Sequence, residues 1–178
     1  MSKIAVIGIG NILFSDDGAG VYVVKLLEKN VQFSSDVELI DGGTLGFRLL
    51  DLLQSFEKVI IIDTISLDDE AGSVFVMPAS ELCEIASLRQ TAHEVEVVEM
   101  LQMAELFDSS AEVTIVGIVP KDINTVQFDL SSEVKSGMDL LVQQTLTLLA
   151  SWDVEYHTAN DQTDIEKMLT YYQEEKLA

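Results

Sequence analysis

The sequence predicts a three-layer α/β/α domain around a mostly parallel, twisted sheet of about five strands. Short continuous apolar runs, such as Ile4-Ala-Val-Ile and Val59-Ile-Ile-Ile, read as strands buried on both faces. Segments with apolar residues at helical spacing separate these runs. Strands alternating with helices imply right-handed crossovers, which lay helices on both faces of a parallel sheet. Ligands then bind outside the carboxyl ends of the strands, and here the residues of unusual chemistry fall at those ends.

Ile4 to Gly8 is the first strand, and from Asp17 a helix is expected, with Val21, Val24 and Leu27 on one face and Val23 and Leu26 widening it. Val37-Glu-Leu-Ile-Asp41 is a second strand, and Leu45, Leu49, Leu52 and Leu53 mark a short helix. Val59 to Asp63 is the clearest buried strand; Ser73 to Met77 follows the Gly72 turn and stops at Pro78. Thr91-Ala-His-Glu94 has the form of a capping box opening a helix to about Leu106. Val113 to Val119, closed by Pro120, is the last predicted strand. Met138, Leu141, Val142, Thr145, Leu148, Leu149 and Trp152 recur as one face of a long helix. Residues 1–152 thus form the α/β domain. Residues 153–178 hold a polar stretch and a C-terminal amphipathic helix, for which Thr163-Asp-Ile-Glu166 offers another capping box.

The 178 residues suit one domain. With 48 % apolar residues and only 2 prolines, the chain has the means for a real core. It carries 31 acidic against 10 basic side chains, a net charge of -21. Such a surface repels phosphate backbones and anionic lipid, so neither nucleic-acid binding nor membrane insertion is expected. Cys83 is the only cysteine, so no internal disulfide can form, and the apolar run at the N-terminus is too short for a signal-peptide core. A cytoplasmic protein is expected.

Four features carry chemistry. Gly8-Ile-Gly10-Asn11-Ile-Leu-Phe-Ser-Asp16-Asp17-Gly18 follows the first strand. Leu13 stands where a dinucleotide fingerprint needs its third glycine, and Asp16 and Asp17 occupy the end of the helix that would receive a pyrophosphate. The loop therefore suits a cation, unless one of these aspartates simply caps the helix. Asp41-Gly42-Gly43-Thr44 ends the second strand, where the glycines permit either close approach of a ligand or a plain tight turn. Asp63 ends an apolar strand and must be solvated, paired or bound to metal. His93 lies in the first turn of a predicted helix, where the helix N-terminus favours neutral imidazole; His157 lies in a polar stretch and reads as surface. Asp17, Asp63 and His93 make a two-carboxylate, one-imidazole set suited to a divalent ion such as nickel or zinc, with metal-assisted hydrolysis as its natural chemistry. A Gly-x-Ser-x-Gly nucleophile motif is absent, and no oxyanion-hole signal accompanies a Cys83–His93 pair.

These motifs resemble those of the [NiFe]-hydrogenase maturation proteases. The segment from Gly8 to Val21 is similar to that family's opening signature, Asp41-Gly42-Gly43-Thr44 with Gly46 to its second, and Val116-Gly-Ile-Val-Pro120 to its last strand. Val59 to Asp63 and Thr91 to His93 match the regions of its remaining metal-binding positions, so the likeness runs from about Lys3 to Trp152. The resemblance implies an endopeptidase that removes the C-terminal extension of a hydrogenase large-subunit precursor after nickel insertion. Asp17, Asp63 and His93 would be its metal-binding and catalytic residues, with nickel carried by the precursor and other divalent ions such as zinc or cadmium able to substitute. Asp41, Gly42 and Gly43 would shape the binding cleft, and the protein would be a monomer. Many relatives carry Glu where Asp17 stands, which shortens the reach of that carboxylate. Two rivals are a receiver-like signalling domain, for which Asp16-Asp17, Asp63 and Pro120-Lys121 give a partial match in the wrong spacing and order, and a non-catalytic nickel-binding chaperone.

Overall fold

The computed structural model describes residues 3–34, 36–44, 48–88, 98–103 and 111–177. Its main sheet has five strands: β1 (Ile4–Ile9), β3 (Val37–Gly43), β4 (Lys58–Thr64), β5 (Val74–Pro78) and β6 (Glu112–Ile118). Their order is β3-β1-β4-β6-β5, with β5 alone antiparallel to its neighbour. The predicted mostly parallel sheet is therefore present. A second, two-stranded ribbon pairs β2 (Val31–Phe33) with β7 (Tyr156–Thr158), antiparallel. Its three-residue strands are too short to display a period in the sequence.

Among the described residues, the sheet is covered by α1 (Ala19–Asn30), α2 (Arg48–Leu53), α3 (Ala79–Leu88), α4 (Ser132–Ser151) and α5 (Ile165–Leu177). Residues 98–103 are helical as well. On one face, Val6, Ile60, Ile62, Val116 and Ile118 of the strands pack with residues of α1, α4 and α5. On the other, Ala5, Ile7, Val59, Ile61 and Ile115 pack with Leu53, Leu82, Val98 and Leu101. This alternation along each strand is the period of two that divides a buried strand between two cores.

From β1 the chain crosses to β3 on one side, then returns past β1 to β4 on the other. The crevice of a doubly wound sheet opens at that reversal, beyond the carboxyl ends of β1 and β4. Glycine lets α1 lie directly on it. A Cβ at Gly20 would stand 2.2 Å from the Ile62 carbonyl oxygen, and one at Gly8 2.2 Å from the Gly20 oxygen. No side chain fits either place.

Two boundaries differ from the sequence reading. The helix expected from Asp17 is preceded by a 3-10 turn, Ser15–Gly18, and α1 begins at Ala19. Ser15, at φ 47°, prevents an earlier helical start. At the start of α5 the cap is Asp164 and not Thr163: its Oδ1 accepts the Lys167 amide N–H (2.8 Å). The Thr163 backbone is already engaged by Asn30, whose amide donates to the Thr163 carbonyl and accepts its N–H (2.7 and 2.8 Å).

The C-terminal helix docks on the domain. Ile165, Met168 and Leu169 belong to the α1–α4 core, and Tyr172 stacks edge-on against buried Tyr22 with centroids 5.7 Å apart. Leu169→Ala should lower unfolding free energy by about 2–4 kcal/mol, as expected for a buried leucine. Chemical denaturation measures this, and an unchanged midpoint would show that α5 is a loose appendage.

Candidate active site

The loop after β1 folds back on itself. Gly10 adopts φ 125°, and a Cβ there would stand 1.7 Å from the Asp17 carbonyl oxygen. The Gly10 N–H donates to the Gly43 carbonyl (3.0 Å), which ties this loop to the end of β3. The Asn11 N–H donates to Asp17 Oδ2 (2.8 Å), and the Asn11 side-chain oxygen accepts the Leu13 N–H (3.0 Å). Asp17 is only 2 % exposed. It is therefore held from within its own loop and does not cap α1, whose N-cap is Gly18.

Asp16 is fully buried and engages a different part of the chain. Its Oδ2 accepts the N–H groups of Lys121 (2.9 Å) and Asp122 (3.0 Å) and the Ser131 hydroxyl (2.9 Å). Its Oδ1 accepts the Ser131 N–H (2.6 Å). Ser131 is the N-cap of α4, and its hydroxyl also accepts the Val134 N–H (3.3 Å). The Asp16 carboxylate thus docks at the N-terminus of α4, where helix N–H groups and the macrodipole favour an anion. A short parallel bridge between Phe14 and Gln127 runs alongside, with the Gln127 amide donating to the Ser15 hydroxyl (2.9 Å).

Asp63 is the penultimate residue of β4, and its Oδ1 accepts the N–H of Thr64 (2.7 Å). Strand alternation sets it on the face of Ile61, half-buried. Its strand neighbour Ile62 touches Gly20, which follows Asp17 by less than one helical turn. The Asp17 loop and the end of β4 therefore meet at the switch point.

Asp41 lies on the other face, in one row with Gly8 and Ile62. It is exposed and forms an ion pair with Lys25 of α1 (3.6 Å). Gly42 and Gly43 form a bulge in β3: the pairing with β1 skips Gly42, and Gly43 takes φ 46°. The glycine pair thus shapes the junction between two loops. His93 lies outside the described residues, as do the Thr91–Glu94 capping box and Gly46. Among the described residues no three His, Cys, Asp or Glu side chains converge. Cys83, on α3, packs against the second core cluster, and His157 is exposed as expected.

The sequence and the fold are similar to those of known proteins. The sequence model of a family described as hydrogenase maturation protease matches residues 21–148. The chain belongs to that family. The hydrogenase 2 maturation protease of Escherichia coli is 27 % identical over 86 % of this chain and 94 % of its own. Protein HydD of Wolinella succinogenes is 31 % identical over 80 % of this chain and 92 % of its own. Among solved structures, the hydrogenase maturating endopeptidase HybD from E. coli superposes with a TM-score of 0.81 at 26 % identity, covering 90 % of this chain and 99 % of that one. The HybD maturation protease of Thermococcus kodakarensis gives 0.67 at 28 % identity, over 82 % and 98 %.

Family membership makes the chain a peptidase, a hydrolase acting in hydrogenase maturation. Among the described residues no helix is long and apolar enough to cross a membrane. Asn11, a member of the glycine loop motif, takes on the role of holding Asp17, and Ser131 joins the site as the residue that holds Asp16. A serine immediately before the long apolar-periodic run is the signal that marks Ser131 as an N-cap.

The signalling alternative also fails on geometry. It needs the lysine near the last parallel strand to face the acidic residues. The Lys121 ammonium instead hydrogen-bonds Glu133, and the hydrogen bond from Lys121 to Asp16 comes from its backbone N–H. The Lys121 hydrogen bond is the main cause holding the Glu133 carboxyl down to about 2. A depressed carboxylate stabilises the fold above its ordinary value of 4.5, and this contribution is lost as pH falls towards 2. Lys121→Ala should return Glu133 towards its ordinary value, read by carboxyl NMR titration, while the backbone contact to Asp16 survives. An unmoved titration would show that the pair does not form.

Proposed function

We propose that this peptidase removes the C-terminal extension of a [NiFe]-hydrogenase large-subunit precursor, and that Asp17, Asp63 and His93 grip the nickel the precursor already carries. The observation that supports this most is the meeting of two loops at the switch point. One presents Asp17, enclosed and held by the Asn11 N–H; the other presents Asp63 at the end of β4. Carboxylate oxygens and an imidazole suit a borderline divalent ion, and zinc or cadmium would be accepted for the same reason. Three protein ligands leave positions for the precursor's own ligands and for water.

Nickel is thus part of the substrate and reports that the precursor is ready. Its charge polarises groups bound beside it, which favours attack of water on the scissile carbonyl. Asp17 in place of the glutamate of many relatives shortens the reach by about one C–C bond, so the loop must approach the metal more closely. The tight backbone contacts at Gly8, Gly10 and Gly20, which draw the loop and α1 against the sheet, support this reading. Asp41 and the β3 bulge form the neighbouring wall. The proposed protein is a monomer that works in the cytoplasm, where the lone Cys83 stays reduced.

Processing is read as loss of a short C-terminal peptide from the precursor's mass. Asp17→Asn, Asp63→Asn and His93→Ala should each stay folded by circular dichroism and process on the order of 100-fold more slowly or worse, the loss typical of a removed electrostatic group in an active site. Cys83→Ser should process normally. Wild-type rates in all three site variants would refute the assignment, and a dead Cys83→Ser would point to a thiol mechanism.

A further inference from the structure

We propose that Asp16 is a positioning residue for this site: by docking on the N-terminus of α4 it fixes the turn that presents Asp17. The inference rests on the reading that Asp17 acts on the substrate. The Asp16 carboxylate faces residues 121–131 and is fully buried, so it does not touch a precursor. It accepts four hydrogen bonds from Lys121, Asp122 and Ser131. Its own N–H donates to the Asp122 carbonyl (3.0 Å), and the Ser15 N–H next to it to Gln127 (3.2 Å). The 3-10 turn from Ser15 to Gly18 is thereby fastened on one side to residues 121–131 and on the other to α1. The next residue, Asp17, is thereby set where the Asn11 N–H meets its carboxylate.

This arrangement exceeds what a loop anchor requires. Ser131 serves two ends at once: its hydroxyl donates to Asp16 and accepts from Val134. The rigid body of α4, whose Val134, Met138 and Leu141 lie in the core, therefore sets the position of Asp16. Residues that orient metal-binding groups without touching the metal commonly change activity by about 10–100-fold when altered.

The test uses Asp16→Asn, which turns a donor toward groups that need an acceptor, and Ser131→Ala, a milder change that removes only the hydroxyl. Ser131→Thr keeps the hydroxyl and is the conservative rescue. Leu149→Ala, at the far end of α4, supplies a destabilised control. Amide hydrogen exchange at Asn11 and Asp17 reads the loop independently of activity, and precursor processing is resolved into kcat and KM. Asp16→Asn and Ser131→Ala should speed exchange at Asn11 beyond the control. They should lower kcat by about 10-fold or more with little change in KM, and Ser131→Thr should recover both. Unchanged exchange, or a kcat no lower than that of Leu149→Ala, would overturn the proposal. A wild-type protein that processes no precursor would refute the functional reading, whereas altered exchange at Asn11 would still report the link between Asp16 and the Asp17 loop.

Discussion

The carboxylate of Asp16 has no ion-pair partner among the described residues, yet it is fully buried. Desolvating a carboxylate costs several kcal/mol. Four donors, each worth about 1.5–3 kcal/mol to a charged acceptor, offset that cost, and the N-terminus of a 20-residue helix adds a favourable field. The balance holds only while all four donors converge. Three of them are backbone N–H groups, so the geometry depends on the path of residues 121–131 and on where α4 begins. The loop after β1, the loop before α4 and the helix itself become one rigid corner.

The other half of the site follows from close backbone packing. Helix α1 rests on the sheet through Gly8 and Gly20, at separations that leave no room for a methyl group. This brings the first turn of α1 against the end of β4 and carries Asp17 toward the strand that holds Asp63 near its end. Gly10 and the β3 bulge join the loops of the two strands through one backbone hydrogen bond. Topology decides where this happens, because the reversal of strand order between β1 and β4 leaves their carboxyl ends uncovered by a crossover.

Much of this was legible in the residues. The apolar runs at Ile4 and Val59 read as buried strands, and the glycines and aspartates at their ends fall where a parallel sheet binds ligands. The separate duties of Asp16 and Asp17 were not legible. Both fit a cap on the following helix, and the structure makes neither one: Asp16 serves a helix more than a hundred positions away, a pairing that local pattern cannot encode. The Asp41-Gly42-Gly43 signature likewise read as a ligand loop or a turn, whereas a register shift against β1 and an ion pair with Lys25 account for its geometry. At α5 the cap moved by one residue because the Thr163 backbone was taken by Asn30, again a partner remote in sequence. The ribbon of β2 and β7 was hidden by brevity, since three residues display no period.

A peptidase of this build, as proposed, waits for nickel before it cuts. The most direct measurement mixes the purified protein with one hydrogenase large-subunit precursor, prepared with and without nickel, and follows the precursor's mass. Loss of a C-terminal peptide from the nickel-loaded form alone is the predicted result. Equal cleavage of both forms would remove the metal from recognition, and no cleavage of loaded precursors would contradict the proposed substrate.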